Sequence, residues 1–388
     1  MSSTAIVTGM IATYPVGGAA WDYGQYALGM EQLGFRVVYL EDTGWLNYDP
    51  RLGEYKEDAS YGAEFLRETL TSLSPSLGAR YHVRSMDGAT YGLDTTELHD
   101  ALDDAVVFLN VSGGTVLRPE YQHCRNKVLI DTDPGWNHFV NWPSWRPKPD
   151  WPVSAPFTGH DHFFTYAERI GLAGCPLPDF GLAWRPTRPP VVLDRWTPEP
   201  PGSTWTTVMT WKNFDKTIEH EGVSYGTKEA EFVAVEALPT LVDAPLELAM
   251  GGARWPDDHW RALGWSVIDA ASISQTADDY RSYVQRSRGE FSVAKNVYVA
   301  TNCGWFSCRS VCYLAAGRPV VVQDTGFSDV LPTGDGLLAF RTVDDAVGAV
   351  ESVEHDYAHH STAARQFAAE HFAAESVLGQ LVDEVGCA

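Results

Sequence analysis

The first half of the chain alternates short apolar runs with amphipathic stretches. Residues 4–9 form an apolar run, a glycine-containing turn follows at residues 15–18, and an amphipathic stretch extends over residues 22–33. Gly34 ends that stretch, and residues 35–40 form a second, β-branched run. The order of strand, turn, helix and strand is typical of a parallel α/β sheet. The same pattern predicts further strands at residues 105–110, 127–131 and 162–166 and a helix at residues 61–73.

A cluster of prolines separates this half from a second one. Proline lacks an amide hydrogen and has a fixed φ, so residues 184–202 are not expected to continue a central strand and are interpreted as a linker. A second alternation follows, with strands predicted at residues 205–211, 246–250, 265–269, 297–300 and 319–322 and helices near residues 228–238 and 277–285. The pattern therefore divides the chain into a first domain (residues 1–185), a linker (186–203), a second domain (204–360) and an alanine-rich terminal helix (361–388).

Composition fits two folded domains and argues against polyanionic partners. The 388 residues exceed the ~250–300 at which a single core stops growing. A net charge of −23 would repel nucleic acid and anionic membranes, which favours a small or neutral partner. The first residues lack the basic segment of a signal peptide, no apolar run is long enough to span a bilayer, and the six cysteines show no disulfide framework. We therefore expect a cytoplasmic protein without membrane insertion, of unspecified oligomeric state.

Residues 303–322 carry the most chemical information. The predicted strand at residues 297–300 leads into a glycine-containing turn, Ser307 is a suitable N-cap, and Gly317 ends the helix that follows. Such a helix N-terminus offers unpaired amide hydrogens and a positive dipole end. Arg309, in the first turn, adds a planar donor group that suits a diphosphate. The alternative is an ordinary α/β unit in which Arg309 forms a surface ion pair.

These residues resemble the C-terminal, donor-binding domain of GT-B glycosyltransferases. The resemblance rests on the strand, turn and helix followed by AAGRPVV at residues 315–321, and on CGWFS at residues 303–307, which is similar to the CGW-N-S run of plant and natural-product enzymes. It implies an α/β protein with two Rossmann-like domains facing a cleft and a terminal helix that crosses back to the first domain. It also implies Leloir-type hexosyl transfer from a nucleoside diphosphate sugar such as a UDP-sugar, without a further cofactor or a metal ion.

The donor motif departs from the family pattern at three positions. Cys312 and Gly304 stand where the retaining branch has glutamates, and Asn302 stands where the CGW-N-S branch has histidine. Other residues must then contact the donor, and polar side chains near the expected cleft are candidates. For the diphosphate we predict Lys212, Lys228, Ser307, Arg309 and Ser310, and for the sugar and nucleotide Glu290, Lys295, Gly304, Trp305 and Asp269. The alternative for Glu290 and Lys295 is a solvated loop with an internal ion pair. The alternative for Lys212 and Lys228 is a simple surface charge.

The acceptor side is predicted in the loops that follow the strands of the first domain. The candidate contacts are Gly17, Gly18, Trp21, Asp133 and Trp136. Asp22 is a candidate general base or, alternatively, a helix N-cap. His138 is a candidate base or, alternatively, a solvated loop histidine. Asp131 and Asp133 form a D-x-D pair but lie in the wrong half for a donor metal, so no metal site is predicted.

The sequence therefore favours hexosyl transfer to a small molecule or natural product. Three other functions stay open: a glycosyltransferase acting on modified DNA bases, a sugar-nucleotide epimerase or phosphorylase of the same fold, and a two-lobed small-molecule binding protein. Turnover of donor without acceptor distinguishes the epimerase, and binding to duplex DNA at moderate salt distinguishes the base modifier.

Overall fold

The computed structural model describes residues 3–144, 156–211, 217–252 and 255–387. It contains two large β-sheets, one in each α/β domain. The strands of the first domain are β1 (Thr4–Thr8), β2 (Arg36–Glu41), β3 (Asn47–Asp49), β4 (Glu54–Lys56), β5 (Tyr81–Arg84), β6 (Thr90–Gly92), β7 (Ala105–Val111), β8 (Lys127–Asp131), β9 (His162–Thr165) and β10 (Trp184–Pro186). Its helices are α1 (Gly17–Gln32), α2 (Ser60–Leu73), α3 (Pro75–Gly78), α4 (Thr95–Asp104), α5 (Pro119–Gln122), a π-helical turn (Asn137–Asn141) and α6 (Trp142–Ser144).

Eight of these strands form one sheet in the order β10-β9-β8-β7-β1-β2-β5-β6. All neighbouring pairs are parallel except β5 and β6. The carboxyl ends of parallel strands lie at one edge of a sheet, so the loops after β1, β7, β8 and β9 share that edge. β3 and β4 form a separate antiparallel hairpin.

The second domain contains a six-stranded parallel sheet in the order β15-β14-β11-β16-β17-β18. Its strands are β11 (Trp205–Thr210), β12 (Ile218–His220), β13 (Val223–Tyr225), β14 (Leu246–Gly251), β15 (Ser266–Asp269), β16 (Glu290–Ser292), β17 (Val320–Gln323) and β18 (Leu337–Phe340). Its helices and those that follow are α7 (Lys228–Phe232), α8 (Asp257–Ala262), α9 (Ala277–Arg286), α10 (Asn296–Ala300), α11 (Cys308–Ala315), α12 (Val343–His355), α13 (Tyr357–His371) and α14 (Ala374–Glu384). The predicted class, two Rossmann-like α/β domains, is confirmed.

One predicted strand of the second domain is wrong. Residues 297–300 belong to the short helix α10, and the strand that pairs with β11 and β17 is the more polar β16. β16 can be polar although it is buried, because its side chains have a hydrogen-bond partner inside the protein. Glu290 and Ser292 both accept hydrogen bonds from Arg309. Apolar runs alone therefore placed this strand seven to eight residues too late.

The terminal segment consists of two helices rather than the single helix that its composition predicts. Between α13 and α14 the backbone pairs with the linker, where the Val191 amide donates to the Phe372 carbonyl oxygen at 2.8 Å and the Ala374 amide donates to the Val191 carbonyl oxygen at 2.9 Å. α14 then packs on α1 of the first domain, with Leu378 filling the space beside Gly29. The expected return of the terminal helix to the first domain is confirmed. None of the described helices is long and apolar enough to cross a bilayer.

The start of α1 lies directly against the second domain. The Gly17 amide donates to the Ser274 carbonyl oxygen at 2.8 Å, and the Gly18 amide donates to Ser274 Oγ at 3.3 Å. A methyl group at Gly17 would overlap the carbonyl oxygen of Thr276, whereas one at Gly18 would lie 3.6 Å from the Tyr280 ring. The two glycines therefore differ in how closely they approach the second domain.

This difference gives a matched pair of substitutions. Gly17→Ala is expected to lower the free energy of unfolding by about 1–3 kcal/mol, because the added methyl forces the domains apart. Gly18→Ala is expected to be neutral or stabilising by up to about 1 kcal/mol, because it only adds helix propensity. Thermal unfolding and small-angle scattering measure both effects. Equal stability and equal radius of gyration for the two variants would contradict the close packing at Gly17.

Candidate active site between the domains

The N-terminus of α11 faces the first domain. Ser307 is its N-cap, and Ser307 Oγ accepts a hydrogen bond from the Arg309 amide at 3.2 Å, which confirms the predicted cap. The first helical residue, Cys308, makes a thiol–carboxyl hydrogen bond with Asp22 of α1. A small cavity lies beside this helix start, lined among others by Ser292, Ser307, Arg309, Ser310 and Thr325.

Asp22 lies in the second turn of α1, so its predicted alternative as an N-cap is wrong; Val16 occupies that position. Burial raises the pKa of Asp22 to about 6, and the hydrogen bond from Cys308 opposes the rise. A carboxyl group that titrates near neutral pH is suited to general base catalysis. The fold thus brings this carboxylate to the positive end of α11.

Arg309 is held inside the second domain. Its Nε donates to Glu290 Oε1 at 2.5 Å, Nη1 to the Val208 carbonyl oxygen at 2.7 Å and Nη2 to Ser292 Oγ at 2.6 Å. These bonds use three of the five guanidinium N–H groups. The alternative of a surface ion pair is therefore wrong: the ion pair exists but is buried, since Glu290 is 0% exposed.

Glu290 has no exposed surface with which to bind a sugar hydroxyl, contrary to the prediction. It begins β16 in the middle of the sheet, and its second carboxylate oxygen, Oε2, is buried without a hydrogen-bond partner among the described residues. A buried carboxylate is retained here because Arg309 supplies the opposite charge. Its effect on a ligand is therefore indirect, through the orientation of Arg309.

Lys228 is a buried lysine at the start of α7, 8% exposed. Burial and the charge of Arg309 lower its pKa well below the usual range; Glu290 opposes this shift, and Lys295 adds to it. The alternative of a simple surface charge at this position is wrong, because the side chain is buried. An anion bound next to Lys228 would raise its pKa again and favour the charged form.

Lys295 and Asp133, predicted on opposite sides of the cleft, contact each other. Lys295 Nζ donates to Asp133 Oδ2 at 2.7 Å, and the Tyr298 hydroxyl donates to Oδ1 of the same carboxylate. Trp305 stacks on Tyr298 with ring centroids 4.3 Å apart, and its Nε1 donates to the Thr132 carbonyl oxygen at 3.0 Å. These contacts join the loop after β8 to α10 and to the turn before α11.

The turn at Gly304 is occupied by a side chain of the first domain. Gly304 has φ +82°, and a Cβ there would lie 3.1 Å from Arg169 Cγ. Arg169 Nε donates to the Asn302 carbonyl oxygen at 3.0 Å, and its guanidinium forms an ion pair with Asp329. The glycine therefore makes room for Arg169, so the expected contact of Gly304 with the donor is not available in this arrangement.

His138 does not have the free nitrogen that a base needs. It is fully buried, its Nδ1 lies 2.7 Å from the Pro178 carbonyl oxygen, and its Nε2 lies 3.0 Å from Asp131 Oδ2. Both predictions for His138, a catalytic base and a solvated loop histidine, are therefore wrong. The residue fixes the loop that carries Asp133.

The remaining predicted residues have packing or capping roles in this arrangement. Trp21 is buried, donates from Nε1 to the Ala277 carbonyl oxygen at 2.7 Å and packs on Trp196. Trp136 packs against an apolar cluster that includes residues of both domains. Asp269 is exposed on the edge strand β15 and accepts from the Ala271 amide at 2.8 Å. Lys212 lies outside the described residues.

Arg169, Tyr298 and Cys308 were missed by sequence reasoning. Arg169 follows β9, at the same sheet edge as the loops already considered, so its position was a usable signal. Tyr298 was assigned to a strand and so was not considered as a cleft residue. Among the residues that the structure describes, no group of three or more histidine, cysteine, aspartate and glutamate side chains has a metal-binding arrangement.

Comparison with known proteins identifies the architecture. No protein-family model matches the chain, and no curated protein matches it significantly. The crystal structure of AviGT4, a glycosyltransferase involved in avilamycin A biosynthesis, matches with a TM-score of 0.56 and 12% identity over 99% of this chain and 97% of AviGT4. HepE of Anabaena in complex with UDP and glucose also matches with a TM-score of 0.56, at 9% identity over 100% of both chains. The chain therefore has the two-domain GT-B fold of glycosyltransferases.

Proposed function

We propose that this protein is a glycosyltransferase that moves a hexosyl group from a nucleoside diphosphate sugar to a small-molecule acceptor. The observation that carries the proposal is Lys228, a buried lysine at the start of α7 whose pKa is lowered by burial and by the nearby charge of Arg309. A diphosphate is the ligand chemistry that suits buried cations next to a helix N-terminus. The GT-B fold is consistent with this function.

In this proposal the donor diphosphate lies between Lys228 and the start of α11. The cavity lined by Ser307, Arg309 and Ser310 would receive its oxygens, and the dipole of α11 would stabilise the charge of the leaving group. HepE has been crystallised with UDP and with UDP-glucose, and we propose UDP as the nucleotide here as well. We assign donor binding to residues 204–360 and acceptor binding to residues 1–185.

Asp22 is the proposed general base. It would take the proton of an acceptor hydroxyl as that oxygen attacks the anomeric carbon, while the bond from that carbon to the diphosphate oxygen breaks and the diphosphate leaves with the electron pair. Closure of the two domains around the reactants would limit attack by water. No metal ion or further cofactor takes part in this scheme, and we propose a cytoplasmic location because all six cysteines are free thiols.

Thermal shift and calorimetry with nucleoside diphosphates test the donor assignment. We expect UDP to raise the melting temperature, because a ligand that binds only the folded state stabilises it. We also expect release of UDP from UDP-glucose to need an acceptor and to continue undiminished in EDTA. Epimerisation of the donor without acceptor would indicate an epimerase instead of a transferase. UDP binding without any turnover would indicate a binding protein. Loss of activity in EDTA would refute the metal-free scheme.

A further inference from the structure

In the hairpin formed by β3 and β4, polar side chains face the protein interior and aromatic side chains face outwards. Asn47 and Asp49 are buried, whereas Tyr55 is 56% exposed and Tyr48, its cross-strand partner, is half-buried. Successive side chains of a strand point to opposite faces, so the polar residues face the protein and the tyrosines face outwards. Such a reversal on a protein surface indicates that the outward face binds something.

Tyr14 extends this face toward the cleft. Its ring lies edge-on to Tyr55 with centroids 6.4 Å apart, and Tyr48 packs on Tyr55 at 5.2 Å. We call Tyr14, Tyr48 and Tyr55 the aromatic surface. The large apolar side chains that flank it in sequence are also exposed: Trp45, Leu46 and Leu52.

The aromatic surface is connected to the candidate active site by a short, fixed stretch of chain. The Tyr48 amide donates to the Thr13 carbonyl oxygen at 2.9 Å, and the Ala12 and Thr13 amides donate to the buried Glu41 carboxylate at 2.7 and 2.8 Å. From Tyr14 the chain needs only three residues to reach Gly17, which can span at most about 11 Å. Gly17 already contacts the second domain.

The charges around the hairpin favour an uncharged occupant. Its two basic residues, Arg51 and Lys56, both pair with Asp49, at 2.8 and 3.6 Å. Glu54, Glu57 and Asp58 add further negative charge in the same segment. An anionic lipid surface or a nucleic acid would be repelled here, whereas a flat neutral ring can stack on tyrosines.

We propose that the acceptor is a planar, largely apolar hydroxyl compound whose ring system lies on the aromatic surface while its hydroxyl reaches Asp22. The proposal rests on the glycosyltransferase function proposed above and names the acceptor class for it. The apolar part binds through stacking and desolvation of Tyr55 and Leu52, so this part of the affinity does not depend on the donor.

Calorimetry with 1-naphthol as probe tests the proposal. A double variant, Leu52→Ser with Tyr55→Ser, is expected to bind 1-naphthol about tenfold more weakly than the unchanged protein, because two large apolar contacts are lost. The matched control is Val233→Ser with Leu241→Ser, which changes two comparably exposed apolar residues, 62% and 48%, in the second domain. The control is expected to keep the original affinity, and UDP affinity is expected to be the same in all three proteins.

Three outcomes would overturn the inference. The first is equal 1-naphthol affinity in the hairpin variant and the unchanged protein, and the second is an equal loss of 1-naphthol affinity in the control variant. The third is self-association of the unchanged protein that disappears in the hairpin variant, because it would identify a second copy of the chain as the occupant. If the double variant does not fold, Leu52→Ser alone is expected to weaken binding about threefold. If the unchanged protein does not bind UDP, the proposed function is contradicted instead. Failure of the proposed function and failure of the acceptor inference are therefore distinguishable.

Discussion

Asp22→Asn is expected to lower kcat for sugar transfer by about 100-fold to 10,000-fold, the usual contribution of general base catalysis. The amide keeps the size and most of the hydrogen bonding of the carboxylate but cannot take a proton. UDP affinity is expected to stay unchanged, because Asp22 lies on the first domain and its hydrogen-bond partner in the second domain is the Cys308 thiol, which is not a proposed diphosphate contact. Steady-state kinetics with saturating donor and calorimetry with UDP measure the two quantities.

The pH dependence of the reaction provides a separate test of the same role. Because the pKa of Asp22 is raised to about 6, kcat/KM is expected to rise with pH through that value, where the active carboxylate forms. A carboxyl group whose pKa is higher in the folded state destabilises the fold once it ionises. Asp22→Asn is therefore expected to melt at the same or a higher temperature at pH 8, with the difference disappearing below about pH 4.

Glu31→Gln is the matched control, because Glu31 lies on the same helix and pairs with Arg80 on the surface of the first domain. It is expected to retain kcat within about twofold, since loss of a partly exposed ion pair has a small effect. Normal turnover in Asp22→Asn would exclude Asp22 as the base. An equal loss in both variants would indicate a structural effect of α1 instead.

The order of elements and the helix start at Ser307 were accessible from the sequence because both depend on local patterns. The strands at residues 4–9 and 127–131 follow from apolar runs, and the cap follows from Ser307 before a helical stretch. Both are set by residues next to each other in the chain. The structure agrees with them to within a residue.

The partners of the candidate site residues were not accessible in the same way, because they come from distant parts of the chain. Glu290 is polar by type but lies in the sheet core, since Arg309 neutralises it. Gly304 was predicted to contact the sugar or nucleotide, yet the side chain that lies against it is Arg169, 135 positions earlier in the chain. Pattern analysis detects which residues are unusual, but the identity of the contacting group depends on the tertiary fold.

Lys228→Met is expected to weaken UDP binding by about 100-fold, because a buried ammonium group that meets the diphosphate would be lost. Methionine fills a similar volume, and the free protein is expected to melt at the same or a higher temperature. The reason is that burial and neighbouring cations already lower the pKa of Lys228, so its charge costs stability in the absence of an anion. Lys56→Met, which changes a partly exposed lysine of the first domain, is the control and should keep UDP affinity.

The same lysine predicts that UDP binding takes up a proton. A diphosphate beside Lys228 would raise its pKa again, so the bound state holds more protons than the free state at mildly alkaline pH. At pH 8 the phosphate groups of UDP are fully ionised, since the second pKa of a phosphate is about 6, and they do not contribute to this uptake. Calorimetry in buffers of different ionisation enthalpy measures the number of protons directly. Uptake that persists undiminished in Lys228→Met would assign the proton to another group and remove Lys228 from the diphosphate site, even if the affinity had fallen.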